Sequence, residues 1–234
     1  MNLCSDNSRV SNPSLYRSRV FPSADYSPWM ADDIFLKVYD VIKLFTLVDI
    51  YRCFELWHLV EQSAKLDAGA ILEVGVWRGG TAALIGTKAK LSNIIEPIFL
   101  CDTFEGVVKA SNKDSVYKGG EHCDTDIETV QWLLNHLYLT NAKILKGVFP
   151  DETSSVIDRF KFRFCHIDVD VYESAKDIAE WVWDRLIVGG MIVYDDYGYS
   201  TCDGVTKYVE EQIYLRDRLI IHNLNGHAVV IKLH

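Results

Sequence analysis

The sequence of 234 residues lacks the long hydrophobic runs that place a chain in a membrane. No stretch reaches the roughly 18 uninterrupted apolar residues that span a bilayer. The opening residues, MNLCSDNSRVSNPSLYRSRV, contain no apolar core of a secretion signal. We therefore expect no membrane insertion and a cytoplasmic protein.

Positive charge is also scarce. The chain has 24 Lys and Arg against 33 Asp and Glu, which gives a formal net charge of -9, and no dense cluster of Lys or Arg reverses this field locally. Because such a field repels a phosphate backbone, we expect no nucleic acid partner.

Closely paired cysteines are absent as well. The six cysteines show no CxxC spacing, which argues against a zinc site or a disulfide framework. Cys101 and Cys165 lie within apolar runs, so we predict reduced, buried thiols there.

The apolar fraction of 49% is that of a globular enzyme, and the length predicts one compact domain. Residues 1–30 are polar with interleaved aromatics and prolines, which predicts an irregular arm, whereas apolar residues recur at helical spacing from Asp32 to Trp57. We predict an N-terminal arm and helices over residues 1–66, on the lid or substrate side, and a catalytic domain over residues 67–234.

Short apolar runs alternate with helical periods after Gly69, a pattern that indicates a parallel α/β sheet. The runs are AILEVG (70–75), PIFLCD (97–102), AKILKG (142–147), FRFCHID (162–168) and GGMIVYD (189–195). Asn225-Gly226 lies between two further apolar runs and is a strong hairpin signal. The sequence therefore predicts five parallel strands and a terminal antiparallel hairpin, with Gly189-Gly190 ending the helix before the fifth strand.

One connection, residues 103–126, is unusually long. Loops of more than about 12–15 residues inside a compact domain are usually functional or disordered. This loop leaves the end of a strand, where open α/β sheets bind ligands. Two interpretations of its lysines stay open, namely contact with a substrate and simple solvation.

The stretch LEVGVWRGGT (72–81) is a strand with a glycine turn that opens a helix. Gly75 and Gly79 let a ligand approach the backbone, and free amides at the helix start bind an anionic group such as a carboxylate. The spacing is not GxGxxG, which weakens a dinucleotide interpretation, and a purely structural turn is the alternative. Asp102, at the tip of the second strand, suits ribose hydroxyls. Together with Glu73 these residues favour a nucleoside-bearing cofactor with a carboxylate, such as S-adenosylmethionine.

Two pairs of aspartates follow the fourth and fifth predicted strands. They are Asp168 and Asp170 in HIDVDVYES, and Asp195 and Asp196 in GGMIVYDDYG. Close carboxylates repel one another unless a cation neutralises them, and oxygen-only ligands suit Mg²⁺, Mn²⁺ or Ca²⁺ rather than zinc. The alternative is a solvated loop in which Asp170 caps the next helix and the second pair forms a turn. His166 is interpreted either as a base or, more simply, as a hydrogen-bonded structural residue.

In order and spacing, LEVGVWRGGT, CDTFEG, KGVFPDET, HIDVDVYES and GGMIVYDDYG resemble the macrocin-type sugar O-methyltransferases of macrolide and aminocoumarin biosynthesis. The similarity runs from about residue 46 through GGMIVYDDYGYSTCDGV. It implies a class I methyltransferase fold, a Rossmann-like α/β sheet of strand order 3-2-1-4-5-7-6, with S-adenosylmethionine bound over the first two strands.

The same resemblance implies roles for individual residues. The methionine-binding turn corresponds to Glu73, Gly75, Trp77, Arg78, Gly79 and Thr81, the ribose-binding acid to Asp102, and the aromatic near the adenine to Phe149. Asp168, Asp195 and Asp196 are implied as ligands of the divalent ion. Asp170 is implied as the base, with Asp168 beside it as the second catalytic acid.

We therefore expect an S-adenosylmethionine-dependent and Mg²⁺-dependent O-methyltransferase, with Mn²⁺ or Ca²⁺ as other candidate ions. Its expected acceptor is a sugar hydroxyl of a glycosylated metabolite, a nucleotide-sugar or a surface glycan. Two alternatives stay open: a catechol-like phenol as acceptor, because vicinal oxygens chelate a metal in both cases, and a non-catalytic module that only binds the cofactor or a nucleotide. Assembly into a homo-oligomer is also left open.

Overall fold

The computed structural model of the protein describes residue 21 and residues 24–234. Over this part of the chain, seven strands form one sheet and six α-helices surround it. The strands are β1 (Ala70–Val74), β2 (Ile98–Asp102), β3 (Ala142–Lys146), β4 (Phe162–Ile167), β5 (Leu186–Tyr194), β6 (Arg218–His222) and β7 (Ala228–Lys232). The helices are α1 (Asp33–Ile42), α2 (Ile50–Ser63), α3 (Gly80–Leu91), α4 (Ile127–His136), α5 (Tyr172–Trp183) and α6 (Asp203–Glu211). Most of the arm predicted for residues 1–30 lies outside the described residues.

The sheet has the strand order β3-β2-β1-β4-β5-β7-β6. Strands β1 to β5 run parallel, and β7 is antiparallel to both of its neighbours, β5 and β6. The predicted order and the C-terminal hairpin are thereby confirmed. Because β4 lies between β1 and β5, the segments that follow these three strands leave the same edge of the sheet.

The two helices predicted before the sheet are present, and each begins at a capping aspartate. Asp32 Oδ1 accepts the backbone N–H of Phe35 (2.9 Å), and Asp49 Oδ1 accepts that of Tyr51 (2.9 Å). Such caps satisfy amides that the first helical turn cannot pair. Phe35 and Trp57 are fully buried in the core between these helices and the sheet, so α1 and α2 are built into the fold. Among the described helices, none has the length and apolar character needed to cross a bilayer.

Strand β5 differs from the prediction at its start. It begins at Leu186 and contains Gly189 and Gly190, whereas α5 already ends at Trp183. The prediction that the two glycines end the helix was therefore wrong. Pairing of β5 with β4 changes register in this stretch, and Gly189 adopts a φ of +80°. The strand bulges at this point. Glycine is needed here because residues with a side chain rarely adopt this positive φ.

Residues 103–126 form a loop without helix or strand, and the loop is fastened to the start of α5. The buried carboxylate of Asp114 makes this connection. Its Oδ1 accepts the backbone N–H of Tyr172 (2.8 Å), and its Oδ2 accepts that of Ser111 (2.9 Å). Helix α5 has no capping side chain at its own N-cap, Val171, so Asp114 supplies the cap from a distant part of the chain.

The lysines of this loop bind other protein groups. Lys109 Nζ lies 2.7 Å from Asp177 Oδ2, and Lys113 Nζ lies 2.9 Å from Glu173 Oε1, both on α5. Lys118 Nζ lies 3.2 Å from a backbone carbonyl of its own loop. Lys109 and Lys113 therefore hold the loop against α5, and Lys118 binds within the loop, which is neither of the two interpretations that the sequence left open.

The cysteines among the described residues are free thiols. Cys53, Cys101, Cys165 and Cys202 are buried, whereas Cys123 is exposed. The buried thiols predicted at Cys101 and Cys165 are confirmed. Cys4 lies outside the described residues.

Gly75 is required where β1 ends beside β4. Its φ is +88°, and an added Cβ would lie 1.6 Å from the Asp168 carbonyl oxygen. We predict that Gly75→Ala lowers the free energy of unfolding by more than about 4 kcal/mol, because strain and a backbone clash act together. Gly120→Ala is the matched control, since Gly120 has the same φ and no atom within 4 Å of an added Cβ.

Backbone strain alone should cost the Gly120→Ala variant about 1–2 kcal/mol. Denaturant unfolding of both variants measures the difference. Equal losses in the two variants would contradict the assignment of the clash to the Asp168 carbonyl.

Candidate active site

A cavity of about 270 Å³ opens at the carboxyl ends of β1, β2, β4 and β5. Its walls come from the turn after β1, the 103–126 loop, the segment 45–48 before α2 and the segment 195–202 after β5. Open α/β sheets bind their ligands at this edge. The cavity is therefore the candidate active site.

Most of the predicted site residues line this cavity. They are Gly75, Trp77, Thr81, Asp102, Phe149, Asp168, Asp170, Asp195 and Asp196. Glu73, Arg78 and Gly79 are described as well, but they are not among the lining residues. The structure thus brings the two aspartate pairs, the glycine turn and Phe149 together around one space.

The three predicted residues outside the lining have other surroundings. Glu73 is fully buried, and its Oε1 lies 2.8 Å from His166 Nδ1. Arg78 Nη2 donates to Asp124 Oδ2 (2.6 Å) in the 103–126 loop. Gly79 has a φ of +86° and packs against a valine of α4. These positions shape the turn and its neighbours without facing the cavity.

Asp102 is heavily engaged by the backbone. Its Oδ2 accepts the N–H groups of Val76 (2.6 Å) and Trp77 (2.8 Å), and its Oδ1 accepts that of Phe104 (2.6 Å). The carboxylate therefore ties the turn after β1 to the start of the 103–126 loop. Trp77 and Phe104 both have positive φ, a strained conformation that these bonds help to hold. A role at ribose hydroxyls stays a prediction and would use the remaining lone pairs.

The start of α3 offers fewer free amides than the sequence suggests. The backbone N–H of Gly80 donates to the Phe45 carbonyl (2.9 Å), and an added Cβ at Gly80 would lie 2.6 Å from that oxygen. This amide is consequently not free for an anionic group. The segment before α2 covers one side of the start of α3. Thr81, in the first turn of this helix, lines the cavity.

Three of the four aspartates come close together. One carboxylate oxygen from each of Asp168, Asp195 and Asp196 lies within 4.8 Å of the others. Neighbouring parallel strands explain this, because Asp168 directly follows β4 and the other two directly follow β5.

Asp170 stands beside this group in a strained conformation. Its φ is +66°, and its backbone N–H donates to Asp196 Oδ2 (2.8 Å), which also accepts the N–H of Val169 (3.1 Å). A non-glycine residue with positive φ persists only where its surroundings hold it. Because Asp114 caps α5, the alternative in which Asp170 caps this helix does not describe the structure.

Asp195 lies at the centre of a buried charged network that sequence reasoning did not predict. Its Oδ2 pairs with the Arg52 guanidinium of α2, and its Oδ1 lies 2.8 Å from His227 Nε2. His166 Nε2 lies 3.6 Å from the same Oδ1. His166 thus stands between Glu73 and Asp195 inside the sheet, which favours its structural interpretation.

The 103–126 loop brings two further residues to the cavity, Tyr117 and His122. Tyr117 Oη lies 3.1 Å from His122 Nε2, which lies 3.9 Å from Asp170 Oδ2. Burial and the nearby Asp170 carboxylate raise the pKa of Tyr117, so the phenol stays protonated at neutral pH. The loop therefore places a donor-rich pair over Asp170, and Tyr199 adds an aromatic wall on the opposite segment.

Comparisons with known proteins agree with this geometry. The profile of the family described as Macrocin-O-methyltransferase (TylF) matches residues 44–226, which is more than half of the chain. The chain belongs to the macrocin-O-methyltransferase family. It is accordingly an O-methyltransferase that depends on S-adenosylmethionine.

The chain is similar in sequence to curated O-methyltransferases and similar in fold to solved structures. The mycinamicin III 3''-O-methyltransferase of Micromonospora griseorubida is 27% identical over 177 residues, which cover 70% of this chain and 69% of the relative. The solved O-methyltransferase NovP has a TM-score of 0.67 and 22% identity and covers 81% of this chain and 82% of its own. The calicheamicin methyltransferase CalS11 also has a TM-score of 0.67, with 16% identity and coverage of 91% and 99%.

The three clustered carboxylates of this methyltransferase differ in how far nearby positive groups offset their charge. Burial raises the pKa of Asp168 and of Asp196 well above the usual range, and neighbouring carboxylates add to both shifts. Asp195 behaves in the opposite way. Burial alone would raise its pKa, but His166, His227 and Arg52 outweigh burial and hold the pKa well below the usual range. Asp195 is therefore neutralised by the protein, whereas Asp168 and Asp196 are not.

The donor set fits a divalent ion of the Mg²⁺ class. Three carboxylates supply only oxygen atoms, which hard cations prefer. Among the described residues, no Lys, Arg or His forms an ion pair with Asp168 or Asp196, so a bound ion would offset the repulsion that otherwise opposes their ionisation.

His166 contributes to the pH dependence of stability. Burial would lower its pKa, but Asp195 and Glu73 outweigh burial and raise the pKa of His166 to about 10. In the unfolded chain the residue loses its proton near pH 6.5. Between these values the folded protein binds more protons, so the free energy of unfolding falls as the pH rises.

We predict that the metal-free enzyme in EDTA loses stability between about pH 6.5 and pH 10, and that His166→Gln makes this slope shallower. Urea unfolding across this range is the measurement. His58→Gln, on an exposed histidine, is the matched control and should keep the wild-type slope. Identical slopes in all three proteins would contradict the assignment to His166.

Proposed function

We propose that this methyltransferase transfers the methyl group of S-adenosylmethionine to a sugar hydroxyl, with Asp170 as base beside a divalent cation. The observation that carries the proposal is the gathering of Asp168, Asp195 and Asp196 within 4.8 Å, next to Asp170 and in one cavity with the glycine turn. A module that only binds the cofactor has no need for such a cluster.

The cofactor would lie at the β1–β2 side of the cavity. Gly75 and Thr81 present backbone and hydroxyl groups there, and Phe149 supplies an apolar wall suited to an adenine ring. Asp102 keeps the turn rigid through its three backbone hydrogen bonds. A preorganised turn favours in-line methyl transfer, since positioning contributes roughly 7–11 kcal/mol in well-ordered reactions.

Asp168, Asp195 and Asp196 would hold the cation, and a bound divalent ion supplies a Lewis acid that makes a nearby hydroxyl more acidic. Asp170 accepts the hydroxyl proton in this proposal. Burial raises the pKa of Asp170, which makes it a stronger base than an exposed aspartate. Tyr117 and His122 lie on its other side and limit the directions in which the carboxylate can turn.

A sugar acceptor is favoured by the names of the relatives. One acts by name on mycinamicin III, and another, from Streptomyces olivaceus, on the rhamnosyl group of a tetracenomycin. A phenol is the second candidate, because a divalent cation chelates the vicinal oxygens of a catechol as it does those of a sugar diol. A solved neighbour named as a putative caffeoyl-CoA O-methyltransferase, with a TM-score of 0.59 and 16% identity, is alike in fold alone.

Charge favours a glycoside over a nucleotide-sugar. Arg52 is the one Lys or Arg among the described residues that line the cavity, and it already pairs with Asp195. A diphosphate would therefore face four aspartates without a free cation from these residues. Radiolabelled S-adenosylmethionine with a panel of glycosides, nucleotide-sugars and catechols tests the acceptor class. Transfer to catechols alone would refute the proposal.

We predict that Asp170→Asn lowers the rate of methyl transfer by at least about 100-fold, because the amide cannot accept the hydroxyl proton. Binding of S-adenosylhomocysteine, measured by calorimetry, should change by less than about twofold. Asp158→Asn, on an exposed aspartate outside the cavity, is the control and should keep full activity. An active Asp170→Asn enzyme would assign the base elsewhere.

We also predict that EDTA abolishes methyl transfer and that Mg²⁺ or Mn²⁺ restores it. The ion should raise the melting temperature of the wild type, because a ligand that binds only the folded state stabilises it. Asp168→Asn should lose that thermal shift. Full activity after exhaustive chelation would show that methyl transfer needs no metal ion, and it would contradict the proposed cation site.

A further inference from the structure

Asp195 differs from the other cavity aspartates in how its carboxylate is held. Arg52 of α2 pairs with its Oδ2, and His227, which directly precedes β7, lies 2.8 Å from its Oδ1. All three side chains are buried, at 7%, 0% and 3% exposure for Arg52, His227 and Asp195. Both oxygens are therefore fixed by groups that have no freedom to rotate away.

The two holding residues are themselves held. Arg52 Nε donates to Asp49 Oδ2 (2.8 Å), the residue that caps α2. His227 Nδ1 lies 2.6 Å from Glu55 Oε2, which also accepts the side-chain N–H of Asn223 (2.6 Å). A chain of contacts thus runs from α2 and from the β6–β7 turn into the cavity.

Asp196 has no comparable set of charged side chains among the residues that the structure describes. Its Oδ2 accepts two backbone amides, those of Val169 and Asp170, from the segment that follows β4. That contact shapes the backbone of the aspartate segment. The network around Asp195 instead engages both oxygens of one carboxylate with side chains, Oδ2 with Arg52 and Oδ1 with His227.

We propose that His227 and Glu55 are positioning residues that fix the Asp195 carboxylate in the orientation required for the divalent cation. This inference rests on the cation site of the proposed function. His227 holds Oδ1, and Glu55 holds the ring of His227 through Nδ1, while one carboxylate oxygen of Asp195 lies within 4.8 Å of oxygens of Asp168 and Asp196. Partners that orient a ligand in this way typically change metal affinity 10- to 100-fold when they are removed.

The test is Mn²⁺ binding to the full-length protein, followed by electron paramagnetic resonance without any acceptor. His227→Ala should weaken Mn²⁺ binding by at least about tenfold. His227→Gln should recover most of the affinity, because its amide can still donate to Oδ1. Glu55→Ala should weaken binding by about three- to tenfold, since His227 keeps its contact with Asp195 but loses its anchor. His58→Ala, on an exposed histidine of α2, is the matched control and should bind as the wild type does.

The outcomes separate this inference from the proposed function. If the wild type and Asp168→Asn both fail to bind Mn²⁺, the cation site itself is wrong and the inference falls with it. If the wild type binds and Asp168→Asn does not, unchanged affinity in folded His227→Ala overturns the inference alone. If His227→Ala does not fold, the Mn²⁺ affinities of Glu55→Ala and His227→Gln test the inference instead. Wild-type affinity in Glu55→Ala then overturns the inference.

Discussion

The mutual repulsion of four carboxylates at the ends of β4 and β5 is the constraint on which the site depends. Parallel neighbours place Asp168, Asp195 and Asp196 within 4.8 Å of one another. The fold answers this repulsion most fully at Asp195, by burying Arg52 and two histidines against its carboxylate. The unequal treatment of the carboxylates leaves a local excess of negative charge that a hard cation can neutralise. The Asp196 carboxylate also accepts the backbone N–H of Asp170, a residue with a positive φ.

Much of the fold could be predicted because its signals are local. Alternating apolar runs mark the parallel strands, and Asn225-Gly226 marks the hairpin. The start of β5 could not be predicted, because Gly189-Gly190 has the composition of a helix stop and its use as a bulge depends on pairing with β4. The order of the strands came from a family resemblance, since periodicity within one chain does not report which strands are neighbours.

The site was partly predictable for the same reason. Carboxylates that directly follow strands must emerge at one edge, so the aspartate cluster follows from spacing and strand order. Arg52 and His227 carried weak signals, one of several charged residues in a helical period and a histidine after a turn. Both residues contact Asp195, which is far from them in the sequence, so only the packed structure reveals these contacts. Asp114 and His122 lie in a loop without hydrophobic periodicity, so the sequence does not predict in which direction their side chains point.

The fastening of the 103–126 loop by Asp114 has a kinetic consequence. One carboxylate both closes this side of the cavity and satisfies the first amide of α5. Swinging the loop outward therefore uncaps a helix, at a cost of about 0.5–2 kcal/mol. Because α5 begins right after Val169-Asp170-Val171, such an excursion also loosens the backbone that carries the acid. Turnover with a bulky acceptor that has to push the loop aside would thus pass through a state in which Asp170, the proposed base, is briefly misaligned.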